Sequence, residues 1–220
     1  MLFRSFFTPE FWYMTLLTLP AIIIGLTVHE FAHAFASTKL GDPTPRMTGR
    51  YTLNPLKHID WMGFLFLILA GFGYAKPVMI NPSYFKNRKA GEIIVSLAGV
   101  FTNLVVAFVF SLILYVTVVF AGWTDGTYQL IMQLIIRINL GLMIFNLIPV
   151  PPLDGWHVLK MFLKIKNIRA VWAIERYGFL LPLVLVALIF FGILPIGEWV
   201  SYIFQSFIRF WAMIFGIALV

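Results

Sequence analysis

The stretch FWYMTLLTLPAIIIGLTVHEFAHAFAST, residues 11–38, decides how the rest of the chain is read. Its first part has the composition of a membrane-spanning helix, yet it runs without interruption into two histidines and a glutamate. An acidic side chain at the centre of a bilayer costs at least about 2.5 kcal/mol. A compensating interaction must therefore exist for Glu30 and its neighbours.

The surrounding composition supports a membrane setting. Of the 220 residues, 61% are hydrophobic and 11% charged, and the mean hydropathy is +0.93. Soluble domains are usually about 45–50% apolar, so an all-α polytopic membrane protein is expected. The opening MLFRSFFTPEF has no small-residue cleavage site after it, so the first span is expected to stay in place. The chain has no cysteine. That excludes disulfides, thiolate metal sites and a cysteine nucleophile, and leaves His, Asp and Glu as metal ligands. The net charge of +7 does not point to nucleic acid, because the basic residues are scattered over short loops, as membrane topology requires.

About 20 apolar residues cross a bilayer. Spans are expected at 11–38, 92–121, 128–149, 177–194 and 200–219, about five in all. The glycine-bearing WMGFLFLILAGFGYA at 61–75 is too short and reads as a re-entrant, interfacial or β-hairpin segment. No repeat or appended soluble domain is visible, so residues 1–220 form one integral-membrane domain, with a core at about 11–160 and C-terminal helices at about 177–219. Basic residues fall between spans one and two (Lys39, Arg46, Arg50, Lys57, Lys76, Lys86, Arg88, Lys89) and between spans three and four (Lys160, Lys164, Lys166, Arg169, Arg176). The connections AGWTDGT and PIGEW have none. The positive-inside rule then puts the N-terminus outside and the C-terminus in the cytoplasm. His29 falls near the cytoplasmic end of the first span, and FNLIPVPPLDGWHVL, at the end of the third, reaches the same depth.

In HEFAH the histidines stand at i and i+4, on one helical face, where both rings can address one ion while Glu30 acts on water. With apolar flanks there is no solvated face to explain the pattern otherwise. Catalytic zinc takes three protein ligands and keeps one open position. Asp154 is the acidic residue at the right depth, although as a helix N-cap after a Pro-rich turn, with Gly155 relieving that turn, it would have an ordinary structural reading. His157 is the rival ligand. Pro149, Pro151 and Pro152 end a helix at membrane depth, where broken backbone is tolerated only inside protein or beside a water-filled cavity.

With these residues the chain resembles the site-2 protease family of intramembrane zinc metalloproteases, in its compact bacterial form without PDZ or CBS domains. His29, Glu30 and His33 match the family's HExxH, and Asn146, Pro149, Asp154 and Gly155 match its NxxPxxxxDG. The likeness continues through LGDPTPRMTGRYTLNPLKHID, GYAKPVMINPSYF and SLAGVFTN, over roughly residues 20–160. The resemblance implies one zinc per chain on His29, His33 and Asp154, with Glu30 as general base and Asn146 and Asn103 bonding the substrate carbonyl or the oxyanion. It further implies a multi-pass protein of a bacterial cell membrane that cuts locally unwound transmembrane helices near the cytoplasmic side. An anti-sigma factor, a signal-peptide remnant or a sporulation precursor would suit as substrate, and a homo-oligomer is compatible with the sequence. Val100, Trp156 and Trp61 depart from the family pattern, which commonly has proline, a small residue and proline there. Trp156 would narrow access beside the presumed ligand. Arg137, in the middle of the third span, has no role in this scheme. Two other classes use intramembrane His, Glu and Asp: a proton- or metal-coupled transporter, which would show paired half-chains, and an inactive scaffold, which would have lost Glu30 or a ligand.

Overall fold

The computed structural model describes residues 8–70, 73–163 and 168–216. The first seven residues, residues 71 and 72 of the expected re-entrant segment, Lys164 and Lys166, and the end of the expected span at 200–219 lie outside that set. The described residues are helical, with a single β-bridge and no longer strand pairing. Helix α1 spans Pro9–Lys39; Thr8 caps its start, accepting from the Phe11 N–H at 3.4 Å, and Pro9 stands in the first turn, where its missing donor does no harm. A short α2 covers Thr44–Met47, α3 covers Trp61–Ala70 and α4 covers Arg88–Val119. Helix α5 follows over Gly126–Leu147, then α6 over Asp154–Phe162, α7 over Ile168–Tyr177, α8 over Leu181–Phe190 and α9 over Ile196–Phe215. Asn87 and Asp125 cap α4 and α5, accepting from Ala90 N–H at 3.1 Å and Tyr128 N–H at 2.7 Å.

Among the described residues three helices, α1, α4 and α5, are both long and apolar enough to cross a membrane. This differs from the five spans expected. The segment at 177–194 is not one long helix: α7, a 3-10 turn at Gly178–Leu180 and the ten-residue α8 follow one another, and α8 alone rises only about 15 Å. Helix α9 has 20 residues but carries Glu198, Ser201, Gln205, Ser206 and Arg209, which dilute its apolar character. The segment at 61–75 starts and ends side by side. Its ten-residue helix is closed by an antiparallel bridge between Ile59 and Ala75, and the Lys76 N–H donates to the His58 carbonyl at 2.8 Å. Gly63 permits the return, since a Cβ there would lie 2.2 Å from the Tyr74 carbonyl oxygen.

The three long helices pack on one another, with α9 laid against α4 and α5. Val100, Ala107 and Leu114 of α4 meet Met132, Ile136, Leu140 and Met143 of α5, together with Ile196 and Val200 of α9. Val100 thus fills the core, and α4 continues through it as an unbroken helix. Small residues line the closest approaches, as expected where lipid offers no hydrophobic drive between helices. At Gly25 of α1 a Cβ would lie 2.7 Å from Leu142. Polar side chains add bonds between helices. Trp211 Nε1 donates to Ser111 Oγ at 2.9 Å, and Arg137 donates to Ser201 Oγ at 3.2 Å with its guanidinium 4.9 Å from the Phe204 ring centre. Arg137 therefore fastens α5 to α9.

Candidate metal centre and active site

Helix α1 delivers His29 and His33 on one face, both buried. The chain that leaves α5 at Leu147 turns through the prolines and starts α6 at Asp154, which brings the Asp154 carboxylate to the same point. Asp154 Oδ2 lies 3.2 Å from His29 Nε2 and 3.4 Å from His33 Nε2, and the two Nε2 atoms are 3.0 Å apart. His33 Nδ1 stands 2.7 Å from the Val95 carbonyl oxygen. That oxygen can only accept, so the proton is on Nδ1 and the Nε2 lone pair faces the cluster. The His33 Nε2 lone pair and the Asp154 carboxylate oxygen thus converge on one point together with His29 Nε2, an arrangement that suits a cation between them. Ligand atoms about 2.0–2.2 Å from a tetrahedral zinc lie about 3.3 Å apart, which is the spacing found. Among the described residues these three form the group of His, Asp and Glu able to hold one metal ion.

Asp154 has no capping role. The N-cap of α6 is Leu153, without a side-chain bond, and Asp154 is the first helical residue. Gly155 answers close approach rather than turn geometry: a Cβ on it would lie 2.3 Å from the Leu147 carbonyl oxygen. The end of α5 thereby fixes where Asp154 sits.

The cluster opens into a cavity of about 530 Å³, whose walls include Glu30, Val78, Asn146 and His157. Glu30 accepts from the Val78 N–H at 3.1 Å, so the segment Pro77–Ile80 runs beside the Glu30 carboxylate. Asn146 faces the cavity while its amide donates to the Leu142 carbonyl at 2.9 Å. His157 reaches the wall but is not in the metal cluster. Asn103 is fully buried one turn beyond Gly99 and is not among the lining residues. Trp156 does not narrow the cavity. Its ring is buried and its Nε1 donates to Glu175 Oε1 at 3.2 Å, beside Lys160 Nζ at 2.9 Å, which pins α7 to α6. Burial alone would raise the Glu175 carboxyl, but the bonds from Lys160 and Trp156 outweigh it and hold it below its ordinary value, so the pin is intact at neutral pH.

The model of peptidase family M50 matches residues 122–190, which include the Asn146 to Asp154 motif. A Bacillus subtilis (strain 168) protein provisionally named zinc metalloprotease YwhC is 38% identical over 201 residues, covering 87% of this chain and 88% of its own. The chain belongs to peptidase family M50, the site-2 proteases. Rip2 of Mycolicibacterium smegmatis, also provisionally named a zinc metalloprotease, is 30% identical over 77% of this chain and 66% of its own length. No solved structure gives a significant match. This M50 member is a zinc metalloprotease, and the family match continues beyond residue 160, where no motif was legible, into α7 and α8.

Gly99 has a part in the M50 site that no motif suggested. A Cβ there would lie 2.6 Å from both His29 Cε1 and His33 Nε2, so α4 passes directly against the two ligand rings. Gly99→Ala must displace one of them. Zinc affinity of the purified chain, measured against a competing chelator, is expected to fall about 10–100-fold, the scale found when the support of a metal ligand is disturbed.

Proposed function

We propose that this chain is an intramembrane endopeptidase that hydrolyses peptide bonds of transmembrane segments, locally unwound, near the cytoplasmic face of a bacterial cell membrane, as a step of regulated proteolysis. The observation that carries this reading is the position of the cavity. His29, Glu30, Val95 and Asn146 belong to the three membrane-length helices themselves, at the ends joined by the basic loops. Those loops are cytoplasmic by the positive-inside rule.

The chemistry follows from the residues. His29, His33 and Asp154 would hold the metal. Bound zinc supplies a Lewis acid and makes water acidic enough to attack near neutral pH. Glu30 takes the proton of the attacking water and returns it to the leaving amine. The Val78 N–H keeps the Glu30 carboxylate facing the cluster meanwhile. Asn146 can exchange its bond to Leu142 for one to the oxyanion, a donor of the kind that stabilises such charge. Among the described residues the N–H groups of Met79 and Ile80 have no backbone partner, so Pro77–Ile80 offers an edge to which an unwound substrate strand can pair. Unwinding is required because helical carbonyls are already bonded.

The test is a comparison of membrane fractions from cells producing the wild-type chain or Glu30→Gln, by sequencing of new protein N-termini. New termini inside apolar segments, seen only with the wild type, are expected. Termini confined to soluble domains would overturn the intramembrane reading.

A further inference from the structure

We propose that Asp42 is a positioning residue for substrate, suspending the Pro77–Ile80 segment across the cavity from the helix that carries HEFAH. This deepens the reading above and rests on it. Asp42 is fully buried. Its Oδ2 accepts from Ser37 Oγ at 2.7 Å and from the Asn81 N–H at 2.8 Å, and its Oδ1 accepts from the Thr44 N–H at 2.9 Å.

Pro77, Val78, Met79 and Ile80 have no polar side chain with which to hold their own backbone in place. Among the described residues the stretch from Lys76 to Asn81 hangs by three N–H groups: Lys76 on the His58 carbonyl, Val78 on Glu30 and Asn81 on Asp42. The middle tether is the general base, which has to accept and release a proton in each turnover. It cannot also be the part that fixes the strand. On the far side that task falls to Asp42.

Asp42 is well placed to do this because it is rigidly tied to α1. Ser37 is one helical turn beyond His33, and its hydroxyl aims Oδ2. The chain reverses after α1 through Gly41, whose φ of 103° favours glycine. Glu30 and Asp42 thus sit on one body and address N–H groups three residues apart, about 10 Å of extended chain, with Asp42 as the constant support. The separation sets the register of the edge against the metal ligands. A carboxylate suits the position because it accepts from all three donors; an asparagine amide would oppose one N–H with its own.

The experiment uses the zinc-loaded full chain in detergent and two probes. Acetohydroxamate addresses the metal alone, whereas an extended peptidyl hydroxamate addresses the metal and the strand edge. Asp42→Asn is expected to keep one zinc and bind acetohydroxamate as the wild type does, but to bind the peptidyl probe about tenfold more weakly, the worth of a hydrogen bond. Ser37→Ala should move the peptidyl affinity in the same direction, and both variants should speed amide exchange in residues 77–81. Equal weakening of both probes, or no change in either, would overturn the proposal. A wild-type chain that gains nothing from the peptidyl portion would instead overturn the strand-pairing reading, and the role of Asp42 with it.

Discussion

Glu30→Gln is expected to bind one zinc per chain and to cleave about 10²–10⁴-fold more slowly than the wild type, the range attributable to a positioned general base. The substitution is nearly isosteric. Its remaining amide oxygen can still accept from Val78, which stands 3.1 Å from the native carboxylate, so the edge of the cavity is kept. What is lost is the ability to take a proton from water. The histidines are untouched, because Glu30 is not in the metal group. Zinc content by mass spectrometry and turnover of any substrate found by terminus sequencing are the two readouts. Full activity in the variant would remove Glu30 from the role of base.

Asp154→Ala is expected to lose the metal and all cleavage, whereas His157→Ala keeps one zinc per chain. Two histidines on α1 remain in the first variant, but catalytic zinc takes three protein ligands. Asp154 Oδ2 is the atom that lies within 3.4 Å of both Nε2 atoms. His157 lines the same cavity three residues on without entering the cluster, which makes it a control for general damage to α6. Metal analysis of the three purified chains decides the matter. Zinc retained without Asp154, or lost without His157, would exchange their parts.

The centre was legible because its determinants are local and chemically rare. Histidines four apart in an apolar helix have few other uses, and an acid after a proline-broken span at matching depth is scarce in a chain with nine Asp and Glu. What was hidden depends on distance between elements. Nothing in SLAGVFTN says that Gly99 lies against the His29 and His33 rings, since that follows from how closely α4 crosses α1. Asp42 was visible only as a loop acid, although an aspartate before proline and after glycine signals a turn that can bond its own backbone. Apolarity counted over the last third suggested two spans; the 3-10 turn at Gly178–Leu180, which divides that stretch into α7 and α8, is a matter of helix continuity that a count of apolar residues does not register. Trp156 looked like an obstruction for the same reason: its size is in the sequence, its direction is not.

The proposed third metal ligand, Asp154, lies on a different helix from His29 and His33, and this would give the site a further consequence. An ion shared by His33 and Asp154 closes a loop of about 120 residues, and closing a loop that long removes much of the freedom of the unfolded chain. The intervening loop contains the re-entrant segment, all of α4 and all of α5. Metal bound there would therefore also fasten α1 to the start of α6, around the re-entrant segment, α4 and α5.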